Sequence, residues 1–214
     1  SLGSAIAPPL VSFLALTYGW RSAFFVTGSL GIVWVIAWLG FYYTPAEAKA
    51  AQLVEEPRRP WQEIFGTRAC WTLCLARFFT DPVIYFVIFW LPEYLGKERG
   101  FDLAMIGKIA WIPFLFGDVG YITGGWLSGK LMDRGMTLGA ARRRVMYFGA
   151  AIMPTAIVAP LVPEAWMAIA AMCVMAMGHA MWVSNLQSIP ADVFRQSEVG
   201  TASGFTGMGL SLIH

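Results

Sequence analysis

Uncharged stretches as long as a bilayer is thick alternate with short charged loops along this chain. Ser22 to Tyr43 carries no charged residue, nor does Val145 to Val162 or Ala165 to Ala191. A helix of about 20 residues rises roughly 30 Å, the thickness of a hydrocarbon core. Soluble helices rarely stay apolar for so long, because one face must meet water. Seven apolar segments follow, at about 2–18, 22–43, 71–95, 105–128, 145–162, 165–189 and 199–214. The pattern predicts an all-α polytopic membrane protein. It lacks the residue-by-residue alternation that marks a membrane barrel.

The connections differ in kind. Tyr18-Gly19-Trp20-Arg21 joins the first two segments tightly, and Pro154, Pro160 and Pro163 bracket another short turn. Thr44 to Cys70 carries Glu47, Lys49, Glu55, Glu56, Arg58, Arg59, Glu63 and Arg68 with three prolines, and reads as a solvated linker. Trp61 to Phe65 within it predicts a short interfacial helix. The organisation is therefore 1–43, a linker at 44–70, and 71–214. The first segment is short for a span, the last stops at His214 in mid-run, and there is no initiator Met or leader. The chain is expected to be an internal piece of a longer protein, incomplete at both ends.

Composition supports a membrane solvent: 57% of residues are hydrophobic and 13% charged. The ten Trp and seven Tyr suit interfacial belts, and the 22 Gly suit close helix packing. A net charge of +2 is too small to imply nucleic acid. Cys70, Cys74 and Cys173 are an odd set with no His or Cys pair to complete a zinc site, so neither a disulfide framework nor a metal is expected. No cofactor motif appears.

Position of charge sets orientation. Alternate loops hold Lys49, Arg58, Arg59 and Arg68, then Lys130, Arg134, Arg142, Arg143 and Arg144, then Arg195; the opposite loops hold Arg21, Lys97 and Arg99. The basic side is cytoplasmic by the positive-inside rule. That places the 44–70 linker and the 129–144 loop inside, with Arg142 to Arg144 read as topogenic.

Gly125-Trp126-Leu127-Ser128-Gly129-Lys130-Leu131-Met132-Asp133-Arg134-Gly135 lies in a cytoplasmic loop between two spans. It resembles the G-x-L-(A/S)-D-(R/K) signature of the major facilitator superfamily, in which a long cytoplasmic linker joins two six-helix halves. Gly129 stands at the acidic position, and Asp133 supplies a carboxylate one turn later. Further strings, among them Gly19-Trp20-Arg21-Ser22-Ala23-Phe24, Arg77-Phe78-Phe79-Thr80-Asp81-Pro82, Trp90-Leu91-Pro92-Glu93-Tyr94-Leu95 and Pro190-Ala191-Asp192-Val193-Phe194, are similar in order and spacing to bacterial hexuronate transporters of the organic anion:cation symporter branch. The resemblance implies helices five to eleven of twelve in a major-facilitator-type bundle in the bacterial inner membrane, monomeric. It implies proton-coupled import of a sugar acid such as glucuronate or galacturonate, with the main binding Arg and coupling acid on helices outside this chain.

Polar residues inside spans need a reason, since a charge at a helix centre costs about 2.5–3.5 kcal/mol on insertion scales. Arg77, Asp81 and Tyr85 recur at i, i+4 and i+8 on one face. They read either as a neutralised pair near the cytoplasmic end or as a gating pair lining a pathway, with Tyr85 as a substrate contact. Pro82 is expected to open the helix locally. Asp118 shares a face with Trp111, Phe114, Tyr121 and Gly125, and is either a proton carrier or the partner of a neighbouring base. Gly178, Trp182 and Asn185 form an i, i+4, i+7 stripe. Asn185 and Trp182 are candidate substrate contacts. His179 is a candidate proton sensor or a packing residue. Gln187 is expected to face another helix. Gly120, Gly124, Gly125 and Gly129 are small-xxx-small spacings expected to admit neighbouring helices.

Three functions compete. The first is an alternating-access transporter of an organic anion and protons: a hexuronate, or another sugar acid such as galactonate. A non-transporting receptor on the same fold is the second. The third, an intramembrane aspartyl protease using Asp81 and Asp118, lacks the G-x-G-D setting such chemistry needs. No enzyme is expected.

Overall fold

The structure is a computed structural model that describes residues 2–42 and 59–211. All regular elements among these residues are helical. In order they are α1 (Leu2–Tyr18), α2 (Trp20–Phe41), α3 (Trp61–Phe65), α4 (Arg68–Lys97), α5 (Leu103–Ile109), α6 (Ile112–Asp133), α7 (Leu138–Ile152) with a 3-10 turn at Met153–Val158, α8 (Ala165–Val193) and α9 (Gln196–Ser211). Four described segments are long and apolar enough to cross a bilayer: Trp20–Phe41, Arg68–Lys97, Leu103–Asp133 and Ala165–Val193. The linker residues before Arg59 lie outside the described residues.

Local chemistry sets the boundaries. Gly19 turns α1 into α2 at φ +85°, a left-handed conformation that costs glycine little. Thr67 caps α4 by accepting from the Cys70 N–H at 3.3 Å, and Asp102 caps α5 by accepting from Met105 at 2.7 Å. The single span expected at 105–128 is broken at Ala110 and Trp111. Pro113 causes this, because it has no N–H for a carbonyl four residues back. Pro82 does not open α4, which runs unbroken through both Pro82 and Pro92.

Lipid offers no hydrophobic drive between helices, so close packing must hold the bundle. Glycines make it possible. A Cβ on Gly120 would lie 2.9 Å from the Ala180 Cβ, and one on Gly124 would lie 2.9 Å from the Met181 Cα. The α6 and α8 backbones therefore meet directly. Gly149 of α7 and Gly178 of α8 face each other, with 2.7 Å from a Cβ on Gly178 to the Gly149 carbonyl oxygen. Gly125 and Gly129 have nothing within 4 Å, so only one of the two small-residue stripes on α6 meets a described neighbour. The core joins Leu91, Tyr94 and Leu95 of α4 to Ile109 and to Ala168, Ile169, Met172 and Met175 of α8. α1 crosses α5, where a Cβ on Gly107 would sit 2.5 Å from the Ser12 Cβ.

Polar ties close both ends. At the basic end, the Arg142 Nε lies 2.7 Å from Asp192 Oδ2 and its Nη2 donates to Oδ1 at 3.1 Å, joining α7 to α8. Arg59 pairs with the buried Glu198 of α9 at 3.3 Å. Beside it, α3 docks through Ile64 against Cys70 and Ala202, and Phe65 stacks 4.1 Å from Phe205. At the opposite end, Arg99 donates to the Tyr94 hydroxyl and to the Val162 and Pro163 carbonyls at 2.7, 2.6 and 2.5 Å.

Candidate functional site

Three helices line an open cavity of about 730 Å³. Each contributes one helical stripe: Arg77, Asp81, Ile84, Tyr85, Ile88 and Leu91 from α4, Phe114, Gly117, Asp118 and Tyr121 from α6, and Ala176, His179, Ala180, Val183 and Gln187 from α8. The three-to-four residue spacing is that of one face of a helix, so the wall is legible as periodicity once the helices are known. Its chemistry is mixed. Aliphatic groups share the wall with a cluster of charged and hydroxylated side chains.

That cluster centres on Arg77. Its Nε lies 3.3 Å from Asp81 Oδ2, one turn along the same helix. Asp81 is buried, and the guanidinium is partly buried beside it. Tyr121 and Asp118 line the same cavity as Arg77, Asp81 and Tyr85, so α6 brings its acid and phenol to the chamber of the α4 ion pair. From α8, His179 is 6% exposed and lines the same cavity as Asp81. Arg77, Asp81, Tyr85, Asp118 and His179, separate features of the sequence, thus converge on one chamber.

Asn185 and Trp182 stand apart from it. Asn185 is 1% exposed, and its Nδ2 donates to the Gly124 carbonyl at 3.2 Å and the Met181 carbonyl at 3.1 Å. It joins α8 to α6 where Gly124 meets the α8 backbone at Met181. Trp182 packs against the cluster of Leu73, Met146 and Leu186. The Gly178–Trp182–Asn185 stripe faces neighbouring helices, because Gly178 is pressed against Gly149 and Ile152. Gln187 does the opposite of what was expected: it lines the cavity. Tyr121 also belongs to the wall, and its place on the Asp118 face was the signal for it.

The loop motif is separate from the cavity. Lys130 Nζ lies 4.7 Å over the Trp126 ring, and Asp133 and Arg134 are exposed at the end of α6. The loop's ion pair comes from Arg142 and Asp192 rather than from Asp133. The sequence offered Asp192 only as part of a short string after Pro190. Among the described residues, no group of His, Cys, Asp and Glu is placed to hold a metal ion.

Comparison with known proteins agrees with this architecture. The family model described as Major Facilitator Superfamily matches residues 1–213. The chain is 33% identical over 228 residues to a hexuronate transporter of Escherichia coli strain K12, covering 97% of this chain and 52% of that protein. It is 32% identical to a galacturonate transporter of Dickeya chrysanthemi over 72% of this chain and 49% of the relative. A D-galactonate transporter of Escherichia coli O6:H1 is 27% identical over 69% of this chain and 40% of the relative. The chain spans about half the length of the curated relatives it matches. These relatives are named for transport and not for enzyme chemistry.

Proposed function

The chain belongs to the major facilitator superfamily, and on that premise we propose that it forms part of a secondary transporter that imports a sugar acid with protons across the bacterial inner membrane. The preferred substrate is a hexuronate, glucuronate or galacturonate. In this reading α1 and α2 are the last two helices of the N-terminal half, 44–70 is the inter-half linker, and α4 to α9 belong to the C-terminal half. The working unit is a monomer.

The observation that carries the proposal is the charge balance of the cavity. Among the described residues that line it, Arg77 alone has a permanent positive charge, and Asp81 and Asp118 share the wall with it. An anion needs a cation in a medium of low dielectric, where Coulomb energies are several times those in water. Arg77 is that cation, but Asp81 already engages it. With both carboxylates ionised, the wall is net negative and repels the substrate. One proton on a carboxyl group removes that repulsion and lets the guanidinium turn to the anion. Proton and anion then enter together, which is the requirement of a symporter. Tyr85 and Tyr121 add phenols, and Gln187 adds an amide, for the hydroxyls of a sugar acid. His179 adds a buried imidazole to the same wall. α1 lies against α5 and α6, so the two halves meet beside the cavity, where rocking would open one side and close the other.

The test uses the complete gene that carries this chain, expressed in cells lacking their own sugar-acid uptake. Labelled glucuronate or galacturonate is supplied with and without a protonophore. The proposal expects uptake that the protonophore abolishes. Uptake that survives the protonophore would refute proton coupling. No uptake of either acid would refute the substrate assignment and move it to another organic anion, galactonate first.

A further inference from the structure

We propose that a second, smaller chamber between α4, α8 and α9 is a cytoplasmic-side subsite that receives the hydroxylated carboxylate after it leaves the main cavity. This rests on the transporter reading above. The chamber holds about 240 Å³, and its walls include Leu73, Arg77, Gln187, Pro190, Ser203 and Thr206. Arg77 and Gln187 line the main cavity as well. They form the partition between the two spaces.

The order of residues gives the direction. Leu73 lies one turn before Arg77 on α4, and Pro190 lies just under a turn after Gln187 on α8. Both steps lead toward the end where Arg142 meets Asp192 and Arg59 meets Glu198. That is the arginine-rich end, hence the cytoplasmic one. The second chamber therefore lies inward of the first.

Its chemistry fits one end of a hydroxy acid. Arg77 and Gln187 present N–H donors, which suit a carboxylate. Thr206 is buried at 4% exposure, and its Oγ1 donates to the Ser203 carbonyl at 3.0 Å. The hydroxyl proton is thereby committed to the helix, and the oxygen's lone pairs are left as an acceptor. An acceptor suits a substrate hydroxyl and not a carboxylate. Leu73, Leu186 and Pro190 supply an apolar remainder. Because one guanidinium borders both chambers, the anion passes inward without leaving its counter-charge. A buried charge that loses its partner is costly, and the shared Arg77 avoids that state.

Thr206 lines the second chamber and not the first, so it separates the two. The complete protein is reconstituted into liposomes, and KM for labelled galacturonate is measured from the outer and the inner face. Thr206→Val removes the oxygen and keeps the volume. The ratio of inner-face to outer-face KM is expected to rise about fivefold, the worth of one hydrogen bond. Thr206→Ser, which keeps the oxygen, should return the ratio to that of the wild type. An unchanged ratio in Thr206→Val would overturn the subsite. Should Thr206→Val not fold, Thr206→Ala decides by the same ratio, since Thr206 lines the second chamber and not the first, and an unchanged ratio in that variant would overturn the proposal. A wild-type protein that moves no galacturonate from either face would instead overturn the hexuronate assignment on which the subsite rests.

Discussion

The side-chain amide of Asn185 donates to the carbonyl of Gly124, 3.2 Å away across the contact between α8 and α6. The bond forms where glycine lets the two backbones touch. It turns a residue that looks like a ligand contact in the sequence into a tie between helices. Asn185→Leu should therefore destabilise the protein by about 1–3 kcal/mol, the cost of a lost buried hydrogen bond and a misfit side chain. Thermal unfolding in detergent measures this. KM for substrate should stay near wild type in the surviving protein; a KM change at unchanged stability would return Asn185 to the substrate.

Glycine positions on α6 and α8 should differ sharply in tolerance. Gly178→Val places its side chain into Gly149 and Ile152, and should leave little folded protein in the membrane. Gly125→Ala meets nothing within 4 Å. Alanine also has the higher helix propensity, by about 1 kcal/mol. Expression and melting of Gly125→Ala should match or exceed the wild type. Equal losses from both changes would contradict the packing described above.

Arg77 and Asp81 should behave as a coupled pair. Arg77→Gln leaves a buried carboxylate without its partner, at a cost of about 3–5 kcal/mol if Asp81 stays charged. Arg77→Gln with Asp81→Asn removes both charges and should be more stable than Arg77→Gln alone. Stability and function then part company. The double variant folds but loses at least about 100-fold in uptake, since an anion in a low-dielectric site has no cation left. A double variant that still accumulates substrate would remove Arg77 from the binding site.

The Arg99 clamp should not tolerate lysine. Three separate nitrogens of Arg99 reach the Tyr94 hydroxyl and the Val162 and Pro163 carbonyls. A lysine ammonium is a single point donor and lacks that fork. Arg99→Lys should lower stability by about 1–2 kcal/mol through the lost bonds. The connection between α7 and α8 should also become easier to cleave by protease added from outside. Unchanged melting and cleavage would show that the clamp adds nothing to the wild-type protein.

Much of the fold is legible in the chain. The apolar segments at 22–43, 71–95 and 165–189 each coincide with a long helix, because bilayer thickness sets a minimum run of apolar residues that few other structures need. The break at Ala110–Trp111 was missed, although Pro113 is in plain view, because hydropathy averages over a window that one proline does not disturb. The charged side of α4 was also legible, since Arg77, Asp81 and Tyr85 repeat at helical spacing. The assignment of Asn185, Trp182 and Gln187 to ligand or to helix was not. All three lie on α8, within six residues, and each suits either role.

The sequence by itself determined that this is a helical membrane protein, which of its ends is basic, and where its longest apolar helices lie; the expected span at 145–162 is instead a helix that ends at Ile152 in a 3-10 turn. These follow from composition and period, which are properties of one segment at a time, whereas the family was legible in the order and spacing of its motif strings. The tertiary structure alone decided which face of each helix meets which neighbour. It set Asn185 against Gly124, turned Gln187 toward the cavity, and brought Asp118 and His179 to the Arg77–Asp81 pair. In lipid every outward face is apolar, so hydrophobicity cannot mark the inward one. The inward face is chosen by close fit between backbones at glycine and by a small number of polar bonds, and both exist only when two helices are already in contact.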